Sequence, residues 1–383
     1  MSEAKICLCM ILKNEAPRIE RALATALPYL DSWCICDTGS TDGTQQKVME
    51  LLGHLPGVLH EVPWVNYGFN RQQVLELADA APETDGNADY YLILDGDLSL
   101  VVLDPTWKEQ LTADAYGIRY DGSLDYTNTR LVSSQFDWKY RGKTHEYIHC
   151  AGVPHTYEEI KTIQIHDWSD GAQTSNLYGH IKTLIADLNE QPEGNPDTAR
   201  DVFYIAQSYR GLHRYTEAIY WYNRRTTMTG SWEEAYYAMY MMALCQAELG
   251  QPWEIVERNL LLAHKMRPER HEAIFEVIRQ YRVNGEKLEG AESRKCYERG
   301  LKLAKGVWDA PYPSKDIILV MKPIYLFYLP YEVGKCAYAL GKFDLAHRCF
   351  EKALSCDEKA VTRKEDLAEL TEDMRTLLAK CNA

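Results

Sequence analysis

The sequence predicts an α/β domain built on a parallel sheet, followed by an all-α array of repeated helix pairs. Three observations carry this. The chain has 383 residues, more than one core of ordinary size accommodates, so two domains are expected. Residues 1–98 alternate short apolar runs with stretches of helical spacing, the signature of strands joined by crossover helices. From Thr174 onward strand pattern almost vanishes and a helix–turn–helix unit recurs every ~34–40 residues. The expected domains are therefore 1–173 and 174–383.

The elements follow in order. Ile6 to Leu12 is an unbroken apolar run, read as the first strand. Pro17 suits a helix start, and Ile19, Leu23, Ala26, Leu27 and Leu30 repeat at helical spacing. Trp33 to Cys36 is a second strand, closed by Asp37-Thr38-Gly39-Ser40-Thr41-Asp42-Gly43-Thr44, with a helix over Gln45 to Leu52. A third strand falls at Val58 to Val62 and a helix at Phe69 to Ala80. Tyr90 to Leu94 is a fourth buried strand, ending abruptly in Asp95-Gly96-Asp97. Tyr116 to Tyr120 and Thr129 to Val132 read as later strands, whereas Phe136 to Trp168 shows little period.

In the second half, Tyr209 to Ile219 can be laid over Tyr338 to His347. Weaker copies run through Leu244 to Pro268 and His271 to Lys305. This is a tetratricopeptide-like solenoid, interrupted near 306–330 by Pro311, Pro313, Pro323 and Pro330 and closed by a capping helix over 360–382. Arg210, Tyr222, Arg224, Arg225 and Trp232 are candidates for its concave surface, although most tyrosines in such arrays pack. The repeats also leave room for a homo-oligomer.

Bulk composition narrows the function classes. Hydrophobic residues make up 46% and charged residues 26%, as in soluble globular proteins. No apolar run approaches the ~18 residues that span a membrane. No signal-like amino-terminal segment is evident, and the 11 cysteines, odd in number, suit free thiols, so a cytoplasmic location is expected. A net charge of −14 argues against duplex nucleic acid as partner. Cys7/Cys9 and Cys34/Cys36 fall on adjacent strands. A four-thiol zinc site is conceivable, but small buried thiols packing as core are the expectation.

The chemistry concentrates at Asp95 and Asp97. Two carboxylates at the carboxyl end of a buried strand repel each other unless a cation joins them. Mg²⁺ and Mn²⁺ take one or two carboxylates and complete their shell with water and phosphate oxygens, so a diphosphate site is one reading. A plain Asp-Gly turn is the other.

These residues, together with the strand at Ile6, Lys13-Asn14-Glu15 and the Asp37–Thr44 string, resemble the family 2 glycosyltransferases of the GT-A fold over roughly residues 5–170. A GT-A domain followed by repeats is similar in architecture to the sublancin-type peptide S-glycosyltransferases. The resemblance implies an Asp-x-Asp motif, with Asp97 on Mn²⁺ or Mg²⁺ and Asp95 on the ribose or the metal shell. It implies a nucleoside contact at Asp37, and donor-pocket positions at Asn14, Glu15, Asn70 and Arg71. It implies a base after the motif, for which Glu146 in Gly142-Lys143-Thr144-His145-Glu146 is the candidate, with His145 orienting it or touching a phosphate. A late histidine, His166, would supply a further metal ligand, with His149 and His155 as competitors.

Plainer roles stand beside each. Ser40, Thr41 and Asp42 suit helix capping. Arg71 suits a surface ion pair, and Glu146 a pairing with Arg141 or Lys143. Asp137 is the second candidate base, beside Trp138, which could stack on a sugar. The expectation is a metal-dependent, inverting hexosyltransferase using a UDP-sugar, with a peptide, protein or glycan acceptor bound between the domain and the repeats. The rival readings are a transferase acting on modified DNA bases and a non-catalytic peptide-binding scaffold.

Overall fold

The computed structural model describes residues 3–80, 88–121, 126–150, 152, 155–168, 176–191, 195, 197–316, 318–356 and 364–381. The expected domain boundary at 173/174 and the ends of the capping helix, 360–363 and 382, lie outside these residues. Two compact units divide the chain: one holds the sheet and reaches Ser208, the other runs from Tyr209 onward.

In the first unit, β1 (Ile6–Leu12), β2 (Ser32–Asp37), β3 (Gly57–Glu61) and β4 (Tyr90–Ile93) follow the expected order, with α1 (Ile19–Ala26), α2 (Thr44–Leu52) and α3 (Tyr67–Ala80) between them. They pair in parallel, β3 on β2, β2 on β1 and β1 on β4. The sheet has eight strands in the order β3-β2-β1-β4-β7-β6-β10-β5. Its far half uses β5 (Leu98–Val102), β6 (Ala115–Tyr120), β7 (Thr127–Ser133) and β10 (Tyr157–Asp167). There β7 runs antiparallel to β4 and β6, and β5 antiparallel to β10. A small ribbon of β8 (Lys139–Arg141) and β9 (Tyr147–His149) stands apart. The sheet is thus parallel over the first four strands and mixed as a whole.

Alternation on β1 sorts its side chains. Ile6, Leu8, Met10 and Leu12 join the core that takes Ile19 and Leu23 of α1 and Val48 and Leu52 of α2. Cys7 and Cys9 face the other way with Cys34 and Cys36, packed against Val74, Leu75 and Ala78 of α3. Burial pushes the Cys36 thiol up to about 12, as expected of a small buried hydrophobe. Trp138 belongs to this same core: it is 4% exposed and its Nε1 donates to the Ser133 carbonyl. It therefore has no face for a sugar, contrary to the expectation. Asp137 beside it is a surface residue, 2.8 Å from Lys139.

The first unit continues through α4 (Leu177–Glu190) into α5 (Thr198–Gly211). The helices of the second unit are α6 (Tyr215–Thr226), α7 (Trp232–Glu248), α8 (Trp253–Met266), α9 (Glu272–Lys287), α10 (Gly290–Ala304), α11 (Leu329–Ala339), α12 (Phe343–Leu354) and α13 (Lys364–Cys381). The two segments laid over each other, Tyr209–Ile219 and Tyr338–His347, fall at the α5–α6 and α11–α12 turns, and the weaker copies fall on α7–α8 and α9–α10. Left-handed glycines mark the turns, Gly250 (φ 66°), Gly290 (φ 59°) and Gly341 (φ 69°).

The proline-rich interruption is pinned from inside. Arg270 and Glu272 are both fully buried and paired at 3.0 Å. Arg270 donates to the Ile318 and Leu319 carbonyls, while the Tyr236 and Tyr325 hydroxyls donate to Glu272. Each buried charge is thereby paired and hydrogen-bonded. Two of the expected concave-surface residues are interior instead. Tyr222 and Arg225 are both 0% exposed, and Arg225 pairs with Glu234 at 3.2 Å. Among the described residues, no helix is long and apolar enough to cross a membrane.

Candidate active site

The chain fills β1, β2 and β3 outward in one direction, then returns to place β4 on the other side of β1. That reversal lies between β1 and β4, and open α/β sheets place ligands at the strand ends there. A cavity of about 380 Å³ occupies this position, walled by Lys13 and Glu15 after β1, Thr38 after β2, and Asp95, Gly96 and Asp97 after β4.

The turn after β2 shapes its wall. Asp42 accepts from the Ala16 amide, and Thr44 Oγ accepts from the Glu15 amide. The Asn14 amide donates to Ser40 Oγ, and the Asn14 side chain accepts from the Thr41 amide, both across the same seam. Asn14 (φ 55°) is committed to this clamp rather than to the cavity wall. Asp37 is 1% exposed. Its Oδ1 accepts from the Gly39 and Ser40 amides and from Gln45. Its Oδ2 is buried with no hydrogen-bond partner. A buried orphan acceptor is costly, of order 1–3 kcal/mol, and favours a ligand donor.

Asn70 is fully buried and accepts from the Val65 amide while donating to the Pro63 carbonyl. It fixes the loop that carries Trp64. Trp64 walls the cavity with Tyr67, the two rings edge to face at 4.8 Å.

Asp95 forms the floor with two guanidiniums. Arg71 reaches Oδ1 at 2.5 Å and Arg130 reaches Oδ2 at 3.0 Å. Burial alone would raise this carboxyl, but Arg71 and then Arg130 bring it down to about 2. Arg71 also donates from Nε to Glu146 Oε1 at 2.6 Å. One arginine thus joins the Asp-x-Asp strand to the segment holding the candidate base. Glu146 lies behind Arg71 and outside the cavity wall, and its Oε2 has no partner among the described residues.

The depressed Asp95 carboxyl links stability to pH. Its folded value lies below the unfolded value of about 4. The ion pairs therefore contribute fully above about pH 4, and that contribution is lost as pH falls toward 2. Denaturant titrations between pH 5 and 2 should show this acid loss in the wild type and a shallower one in Asp95→Asn.

Asp97 differs from its neighbour. It forms no ion pair among the described residues, and burial, then Asp95 and Asp167, raise its carboxyl. Glu15 is raised by burial as well, with Asp97 and Asp95 adding and Arg18, at 2.9 Å, opposing. The two lie close: a Cβ on Gly96 would meet the Glu15 side chain at 2.7 Å.

The expected metal set of Asp95, Asp97 and His166 does not gather. Both Asp95 oxygens face arginine, and His166 Nδ1 pairs with Asp121 at 2.8 Å. Among the described residues no three His, Cys, Asp or Glu side chains form a metal cage.

His145 sits in left-handed backbone (φ 52°), its ring stacked on Tyr204 at 4.0 Å. Arg200 donates to its carbonyl at 3.1 Å. Burial, then His180 and Arg200, lower the imidazole to about 3, so it is neutral at pH 7 and offers a phosphate no charge. Its Nε2 is buried without a partner.

Sequence reasoning missed Trp64, Lys13, Thr38 and Arg130. Trp64 lies in a stretch with no period. Arg130 stands directly before the apolar Leu131 and Val132 of its strand, and a charge at the edge of a buried run needs a buried partner. Lys13 and Thr38 lay inside the quoted Lys13-Asn14-Glu15 and Asp37–Thr44 strings without being assigned a role.

No family model and no curated protein matches the chain. Among solved structures it is similar to a fragment of S. aureus TarS, residues 1–349, in complex with UDP, at 13% identity over 97% of this chain and 91% of that one, TM-score 0.26. It is similar to the longer S. aureus TarS at 13% identity over 69% of this chain and 53% of that one, TM-score 0.30. It is also similar to MamA at 17% identity over 53% of this chain and 98% of that one, TM-score 0.31. Likeness at these scores identifies no family.

Proposed function

We propose that the first unit is an inverting glycosyltransferase domain that takes its sugar from a nucleoside diphosphate carrier, with a UDP-hexose as the favoured donor. One observation carries this reading. The cavity at the β1/β4 switch combines carboxylates of opposite standing: Asp95 is ion-paired with two arginines, whereas Asp97 is in no ion pair among the described residues and burial, then Asp95, raise its carboxyl.

The nucleoside end is assigned to the β2 side, where Trp64 and Thr38 line the cavity and the unpartnered Asp37 Oδ2 lies next in sequence to Thr38, off the wall itself. Lys13, exposed on the wall, suits a phosphate oxygen. Asp97 fits a hard divalent cation as the single protein carboxylate, because Mg²⁺ and Mn²⁺ accept few protein ligands when diphosphate and water fill the rest. When bound, that cation would offset the charge on the departing diphosphate. Asp95 keeps the floor rigid through Arg71 and Arg130 rather than acting as a ligand.

Single displacement requires a group to take the acceptor proton. Glu146 is the candidate, with Oε1 held by Arg71 and Oε2 without a hydrogen-bond partner among the described residues. Glu146→Gln preserves an acceptor for Arg71 and removes the charge. Transfer should fall by about 10²-fold or more with UDP affinity unchanged. Normal transfer would assign Glu146 to holding Arg71 alone. His145 positions the residue next to it and takes no proton. The acceptor is proposed to be a peptide, protein or glycan. A screen of nucleotide sugars for Mn²⁺-dependent hydrolysis tests the reading as a whole: turnover of one donor supports it, and inertness toward all of them defeats it.

A further inference from the structure

The second unit holds a larger cavity, about 550 Å³, among α10, the turn that follows it, and α11 and α12. Its size falls in the range of ligand pockets. Leu301, Val333 and Leu345 give it an apolar floor, with Trp308 at one side. Its rim is cationic. Lys302, Lys305 and Lys342 are exposed and form no ion pair among the described residues. The fourth rim cation, Arg294, is already paired with Glu298 at 2.9 Å. Trp308 is braced from behind, its carbonyl accepting from Lys352 at 2.8 Å. Asp309 is the one carboxylate on the rim that lacks an ion pair among the described residues.

Three lysines outside any ion pair among the described residues, against one such carboxylate, Asp309, are out of keeping with a chain of net charge −14. We propose that this cavity docks an acidic peptide segment that inserts one apolar side chain between α10, α11 and α12. The charge pattern selects the occupant. Lys302 and Lys305 belong to the end of α10, whereas Lys342 stands at the start of α12. Cations on separate elements meet several carboxylates along a chain, while a single lipid headgroup would call for one focus. The apolar floor supplies the anchor, and the rim supplies steering and selectivity. The site uses none of the catalytic residues and stands whether or not the glycosyltransferase reading holds.

The test uses the full chain and a fluorescein-labelled decapeptide of alternating glutamate and leucine, followed by anisotropy. Saturable binding that weakens with added NaCl is expected. The triple variants Lys302→Glu/Lys305→Glu/Lys342→Glu and the matching glutamine set should each lose about tenfold or more in affinity with unchanged thermal melts. A glutamate–serine peptide should lose a similar factor, because the anchor is gone. Absence of peptide binding, equal affinity in wild type and both triple variants, or equal binding of a lysine–leucine peptide would overturn the proposal. So would saturable binding of laurate by a protein that ignores the peptide.

Discussion

Arg71→Ala is expected to be the most destabilising single change in the first unit. Arg71 is the common partner of Asp95 and Glu146, at 2.5 and 2.6 Å, and all three side chains are at least three-quarters buried. Removing one member of a buried ion pair leaves its partner's charge uncompensated, at a cost of about 3–5 kcal/mol. Here two carboxylates lose the same cation, and Arg130 remains for Asp95 only. The first unfolding transition should fall by about 10 °C, given 2–4 °C per kcal/mol for a unit of this size. Arg71→Lys should lie between, since an ammonium lacks the fork that serves both carboxylates. Differential scanning calorimetry reads the result. A melt within 2 °C of wild type would mean that water, not Arg71, satisfies those carboxylates.

Asp97→Asn should behave in the opposite way. The Asp97 carboxyl is raised by burial and by its acidic neighbours, so its charge is disfavoured in the folded protein. Neutralising it relieves repulsion with Asp95 and Asp167, and the melt should hold or rise. Donor turnover should nevertheless fall by about 10³-fold, the order seen when one electrostatic stabiliser of a transition state is removed. Stability kept and activity lost is the pattern of a residue strained for function. The raised carboxyl adds a pH sign. Protons compete with a cation at Asp97, so cation-dependent turnover should weaken as pH falls toward its raised range. Unchanged hydrolysis in Asp97→Asn would take this residue out of the site.

β1, β2 and β4 were legible because each is a short, nearly unbroken apolar run, as a strand covered on both faces must be, while β3 at the sheet edge carries only Val58 and Leu59 before His60 and Glu61. The helix pairs were legible from their alanines and turn glycines. β10 was not, and its geometry explains why. Its inward residues are Ile160, Ile163 and Ile165, with a register shift between Ile160 and Gln164 that breaks the alternation. Leu98 to Val102, which forms β5, was hidden by its position directly after the acidic motif.

At the site, Asp95 and Asp97 look alike in sequence. What separates them is the pair of arginines, one from α3 and one from β7, that both form ion pairs with Asp95. Trp138 was misjudged and Trp64 passed over for the same reason. An aromatic residue has no local mark distinguishing core from cavity, and only the assembled sheet shows that Trp138 packs under α3 while Trp64 faces the cavity.

A cation at Asp97 should recruit a diphosphate into the β1/β4 cavity. Calorimetric titration of UDP into the full chain, with and without Mn²⁺, in wild type and Asp97→Asn, tests that directly. The predicted result is affinity that rises at least about tenfold with Mn²⁺ in the wild type and no Mn²⁺ effect in Asp97→Asn. Equal UDP affinity in all four titrations, or none in any, would contradict it.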